Sequence, residues 1–245
     1  MIIIELAILA VSAFLFLVIT LWKRKSPAKM REIPALARLY RMLGLSVEDG
    51  TRLHISLGSG SLLDARGGSA LAGLAMLRHI AERTSVSDKP SVASVGNPVL
   101  GLLAQNTLQA GYQAAGVEEL YAPTTGRVTG LSPFGYAAGA MNISQGENVS
   151  ANIMIGNFGP EIALITEASE RGNVTTVGAS DNLVGQAVLF ANTQDVLIGE
   201  ELFSAGAYLG SSTSHLASLT VQDILRWSII LILLGGAVFE ILRTI

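Results

Sequence analysis

Five times between Thr51 and Ser212, a short β-prone run breaks at a small or polar residue and passes straight into a helical stretch. The pairs are LHISLGSG with SLLDARGGSALAGLAMLRHIAERT, SVASVGN with PVLGLLAQNTLQAGYQAAG, ANIMIGNFG with PEIALITEASERG, NVTTVGAS with DNLVGQAVLFANT, and DVLIGEE with LFSAGAYLGSS. Strands separated by helices do not form hairpins. They form parallel pairs joined by right-handed crossovers, which place helices on both faces of one sheet. The expected fold is therefore α/β, a Rossmann-like, largely parallel sheet over residues 51–215. Pro98 and Pro160 suit first helical turns, Asn97 and Ser180 suit caps, and Gly116 and Gly172 suit helix ends. The longer stretch before the third unit holds an extra helix from Pro133 to Ser144, rich in small residues.

Apolar segments flank this pattern. Residues 2–22, IIIELAILAVSAFLFLVITLW, approach the roughly 20 residues that cross a bilayer, and Glu5 is their one charge. Basic residues follow the run instead of preceding it, which marks an uncleaved anchor and not a signal peptide. Residues 227–242, WSIILILLGGAVFEIL, form a second, shorter candidate span. Seven of the sixteen basic residues, Lys23, Arg24, Lys25, Lys29, Arg31, Arg38 and Arg41, lie in the segment 23–50. By the positive-inside rule that segment and the α/β domain are cytoplasmic, with both termini outside. Ile33, Leu36, Ala37, Tyr40 and Leu43 recur at helical spacing, so this basic segment is expected to hold a short amphipathic helix. It would either lie on anionic headgroups or serve as a packed connector. Glu5, Glu240 and Arg243 share the outer interface, and Gly235-Gly236 offers a small-residue face, so the two spans are expected to pack.

Chemistry is harder to find. There are no cysteines, and His54, His79 and His215 show no metal-ligand spacing. Gly58 and Gly60 follow a strand as in a dinucleotide fingerprint, but Leu63 stands where the third glycine belongs and the next strand ends without an acid. No Walker loop and no G-x-S-x-G elbow occurs. Gly156-Asn157-Phe158-Gly159 reads as a tight strand-to-helix turn. Glu161, Asp181, Glu200 and Glu201 fall at strand ends, where they either hold Mg²⁺ or sit at helix N-termini favoured by the dipole. Residues 106–225 carry two basic against eleven acidic residues, which excludes nucleic acid.

The stretch 131–210, with FGYAAGAMNI, ANIMIGNFGPEIALITEASERGN and above all DVLIGEELFSAGAYLG, resembles an uncharacterised family of bacterial membrane proteins known only as a domain of unknown function. The resemblance implies a membrane-tethered α/β domain in the bacterial cytoplasmic membrane and carries no activity, cofactor or catalytic residue.

Three functional readings follow. Only 14% of residues are charged, against about 25% in soluble domains, and segments such as DNLVGQAVLFANT leave little polar surface. The leading expectation is a non-enzymatic, membrane-anchored scaffold that self-assembles, with itself and anionic lipid as partners and no cofactor. The second is a sensor or enzyme holding a small molecule or nucleotide among Gly58, Gly60, Asn97, Asn157 and Asp181. The third is an accessory subunit of a larger membrane complex, with other membrane proteins as partners.

Overall fold

The computed structural model of the chain describes residues 2–23, 32–64, 67–210 and 213–244. The chain divides into two units, residues 1–31 with 210–245 and residues 32–209.

The first unit is a pair of helices, α1 (Ile2–Lys23) and α9 (Thr213–Thr244). They pack through Leu15, Ile19, Ala217, Val221 and Leu225. The expected segment 227–242 is the second half of one continuous 32-residue helix. Its apolar window runs from Ala217 to Ala237. Arg226 falls inside this window and pairs with Asp223 one turn earlier, at 3.5 Å. Among the described residues α9 is the one helix long and apolar enough to cross a membrane, while α1 contributes the shorter apolar run Ala10–Leu21. Arg243 lies 4.0 Å from Glu240. A side chain added at Gly235 or Gly236 would meet nothing within the chain. Arg24, Lys25, Lys29 and Arg31, and the side chains of Glu5 and Lys23, lie outside the described residues.

The second unit runs α2 (Pro34–Glu48), β1 (Arg52–Gly58), α3 (Gly67–Thr84), β2 (Val92–Val95), α4 (Pro98–Ala114), β3 (Gly126–Val128), α5 (Pro133–Gly146), β4 (Val149–Asn157), α6 (Ile162–Arg171), β5 (Thr175–Ser180), α7 (Leu183–Asn192), β6 (Asp195–Leu197) and α8 (Glu201–Gly210). All the strand pairs are parallel, in the order β3-β2-β1-β4-β5-β6. This is the order of the doubly wound dinucleotide-binding folds, in which the chain crosses to the other face after the third strand.

Strand side chains alternate between faces. Leu53, Ile55 and Leu57 of β1, Ala93 and Val95 of β2, and Ala151, Ile153 and Ile155 of β4 join one aliphatic core with α2, α3, α4 and α8. On the other face α5, α6 and α7 cover Met154 through Tyr136, Ala140, Ile162, Ile165 and Leu189. The apolar stripe of α2, read from the sequence as a candidate membrane-surface face, is spent here: Leu36, Leu39 and Leu43 are buried in the first core. Tyr40 then donates to the Tyr208 carbonyl at 2.6 Å, tying α2 to α8.

Asn97 caps α4 as expected from the sequence, accepting from the Val99 and Leu100 amides, and Pro98 opens that helix. Ser180 does not cap α7. Asn182 does, accepting from the Val184 amide, because Ser180 is still in β5. Strand β3 is an addition to the five strands read from the sequence.

Candidate functional site

In this topology the crevice for a ligand opens where the chain changes direction, outside the carboxyl ends of β1 and β4. Four of the residues expected to line it, Gly58, Gly60, Asn157 and Asp181, come together there. Gly58 ends β1 opposite Asn157 of β4. It has φ +80, a conformation that side chains other than glycine rarely adopt. The turn that follows lies directly on Asn157: the Ser59 amide donates to the Asn157 carbonyl at 3.3 Å. A Cβ at Gly60 would stand 2.7 Å from the Asn157 Cβ. The two loops thus close on each other at the point where a bound pyrophosphate would need backbone approach.

The polar groups around this point are used by the loops themselves. Asn157 donates through Nδ2 to Asp181 Oδ1 at 2.7 Å. The Phe158 amide donates to Ser180 Oγ, which donates back to the Phe158 carbonyl, both at 3.2 Å. Glu161, 2% exposed, accepts the Gly159 amide through Oε1 at 2.8 Å. Glu201 accepts the Ile198 amide at 3.2 Å. Asn97 is one strand away, at the end of β2, with its side-chain oxygen spent on α4.

Among the described residues, the loops at this edge carry Asp64, Glu161, Asp181, Glu200 and Glu201 and no Lys or Arg. A phosphate site needs the reverse: free N–H groups and a cation at a helix start. Helix α3 begins only at Gly67, well beyond the tight turn after Gly58. No group of three or more metal-ligating side chains occurs among the described residues.

The less expected feature lies under α5 and α6. On that face β1, β2 and β4 present His54, Ser56, Ser94 and Asn152, all fully buried. His54 Nε2 lies 2.7 Å from Ser94 Oγ, and Nδ1 lies 3.3 Å from Ser144 Oγ on α5. Asn152 donates to Ser144 Oγ at 3.3 Å and to Ser169 Oγ on α6 at 3.1 Å. The Tyr136 hydroxyl bonds Ser56 Oγ and accepts the Gly58 amide. Burial lowers the His54 pKa to about 4; the nearby Glu147 opposes this and Arg127 reinforces it. The imidazole is therefore neutral near pH 7, with one donor and one acceptor nitrogen to match its two hydroxyl partners. Burial raises the Tyr136 pKa, so the phenol keeps its proton.

A serine beside a histidine is the pairing of a nucleophile and its base. Here neither has any solvent-exposed surface, so no carbonyl can reach Ser94. The network seats helices. Its sequence trace is the polar half of an alternation, His54 and Ser56 between Leu53, Ile55 and Leu57.

At the opposite edge Arg52 and Arg127 both bind the Glu147 carboxylate, and this pairing holds its pKa below the usual carboxylate range in spite of partial burial. Arg38, one of the residues expected at headgroups, pairs with the buried Asp195 at 2.8 Å. Burial nonetheless raises the Asp195 pKa, with Arg38 acting against it. Arg41 is exposed on the same helix.

A family model for a domain of unknown function, DUF6754, matches residues 1–245. No curated protein and no solved structure matches the chain.

Proposed function

The chain belongs to the DUF6754 family, and from that premise we propose that it is a membrane-anchored scaffold whose α/β domain associates with copies of itself. The observation that carries this reading is the outer face of α7. The helix has no charged residue, and Leu183, Val184, Ala187, Phe190 and Ala191 are all exposed. A helix on the surface of a lone soluble domain turns polar residues outward. An uninterrupted apolar face of this kind marks an interface.

The anchoring has its own support. Only 11% of the apolar window of α9 is buried by the protein, so lipid is the natural cover for the rest. Helix α1 has 22 residues, about 33 Å at 1.5 Å per residue, and pairs with α9. With Lys23, Arg24 and Lys25 after the first apolar run, the domain faces a bacterial cytoplasm and both termini lie outside. Anionic headgroups meet the basic stretch from Lys23 to Arg31.

A nucleotide-binding role is the weaker reading. The groups at the strand ends satisfy one another, and the described charges there are acidic.

The test is the particle mass of the full chain after gentle detergent extraction, read by mass photometry. A uniform multiple of the chain mass supports the scaffold. A single-chain particle at all concentrations sinks it.

A further inference from the structure

The sheet has two apolar flanks. At the β3 end lie Val99 and Leu102 on α4, Leu131 in the loop after β3 and Phe134 in the first turn of α5. Helix α4, like α7, has no charged residue. At the β6 end lie Leu183, Val184 and Phe190 on α7 and Ile198 after β6. Leu102 is 65% exposed, Leu131 74%, Leu183 80% and Phe190 71%. At no more than about 200 Å² per large apolar side chain, these residues leave on the order of 500 Å² of apolar surface on each flank. A stable interface needs roughly 800 Å² per partner, so either flank supplies most of one.

Resting on the self-association proposed above, we infer that the copies join head to tail, the α4 flank of one domain seated on the α7 flank of the next. The flanks stand at opposite ends of a six-stranded sheet, with α4 and α7 over opposite faces. Five strand spacings separate them by about 24 Å, so one copy cannot pair its own two flanks. A two-fold dimer through α7 covers that flank and leaves the α4 flank in water, and a dimer through α4 does the reverse. One head-to-tail contact covers both flanks in every subunit. Neither α4 nor α7 carries a charge, so neither helix brings an unpaired charge into the joint. Head-to-tail contacts generate rings when the rotation closes. With every copy anchored the same way up in one bilayer, a rotation that closes gives a cyclic ring with more than two members.

The chain contains no cysteine, so introduced cysteines report cleanly. The experiment uses the full chain in its membrane with Leu102→Cys, Leu183→Cys and the double variant, under a short bis-maleimide cross-linker. A second set uses Phe134→Cys with Phe190→Cys. The expected result is a ladder of dimers, trimers and higher species from each double variant. Each single variant alone stays monomeric on the denaturing gel, and two complementary single variants expressed together give only the mixed dimer. Dimers from single variants overturn the head-to-tail arrangement while leaving self-association standing. A multimeric particle mass with no cross-link from either set overturns the assignment of the flanks. A single-chain mass with no cross-links sinks both the arrangement and the scaffold reading.

Discussion

The two faces of the sheet are made from alternate residues of the same strands, yet they hold their helices by different means. One face meets α2, α3, α4 and α8 through Leu53, Ile55, Leu57, Ile153 and Ile155, an aliphatic contact without direction. The other meets α5 and α6 through His54, Ser56 and Asn152, each bonded to a hydroxyl on those helices, while Ser94 holds the second nitrogen of His54. Burying apolar surface stabilises in proportion to area, wherever the helix settles. Burying polar groups costs free energy unless every partner is in place, so it favours one seat over all others. The two faces divide the labour: the aliphatic face supplies stability, and the polar face fixes where α5 and α6 sit.

Four experiments sharpen or break this division, in falling order of effect. Ile153→Ala leaves a cavity at the centre of the aliphatic face. It should cost about 2–5 kcal/mol in urea unfolding of the full chain in detergent. A cost below that of the polar-face variants would reverse the assignment.

The second experiment is acid titration. Folded His54 has a pKa of about 4 against 6.5 for the free side chain, so the unfolded chain binds more protons between those values. The contribution of neutral His54 is full above pH 6.5 and is lost as pH falls towards 4, a change of about 3 kcal/mol. His54→Gln should flatten that part of the stability profile.

Third, Ser94→Ala strands a buried His54 nitrogen and should cost about 1–3 kcal/mol. Hydrogen exchange should rise first in α5, and uniform exchange across both faces would contradict the seating role. Smallest, Asn97→Ala removes the cap of α4 and should lower stability by about 1 kcal/mol, with faster exchange confined to the first turn of that helix.

Much of this fold is legible in the sequence because its strand ends are punctuated. Gly58, Asn97, Asn157 and Asp181 each follow a β-prone run and precede a helix pattern, so five strands and the extra helix from Pro133 can be placed. Strand β3 escapes notice because it is three residues of Gly-Arg-Val, too short to alternate, at the edge of the sheet with β2 as its one strand neighbour. The stripe of α2 is visible as a stripe, but a helical period does not say whether lipid or a sheet receives it. The polar seam is the least legible part. His54 and Ser56 lie on one side of a strand, and what covers them is set by Ser94, Ser144 and Tyr136, which come from distant segments. At the strand ends, the sequence locates Gly58, Gly60, Asn157 and Asp181 on one edge, while their mutual bonding depends on the register between β1 and β4.

The most direct test of the account combines Leu183→Asp with Phe190→Asp in the full chain and compares particle mass and circular dichroism with the parent. Both side chains point away from the core, so the account predicts an unchanged fold and a collapse from a uniform multimer to single chains. A folded variant that keeps the parent's multimeric mass would contradict it.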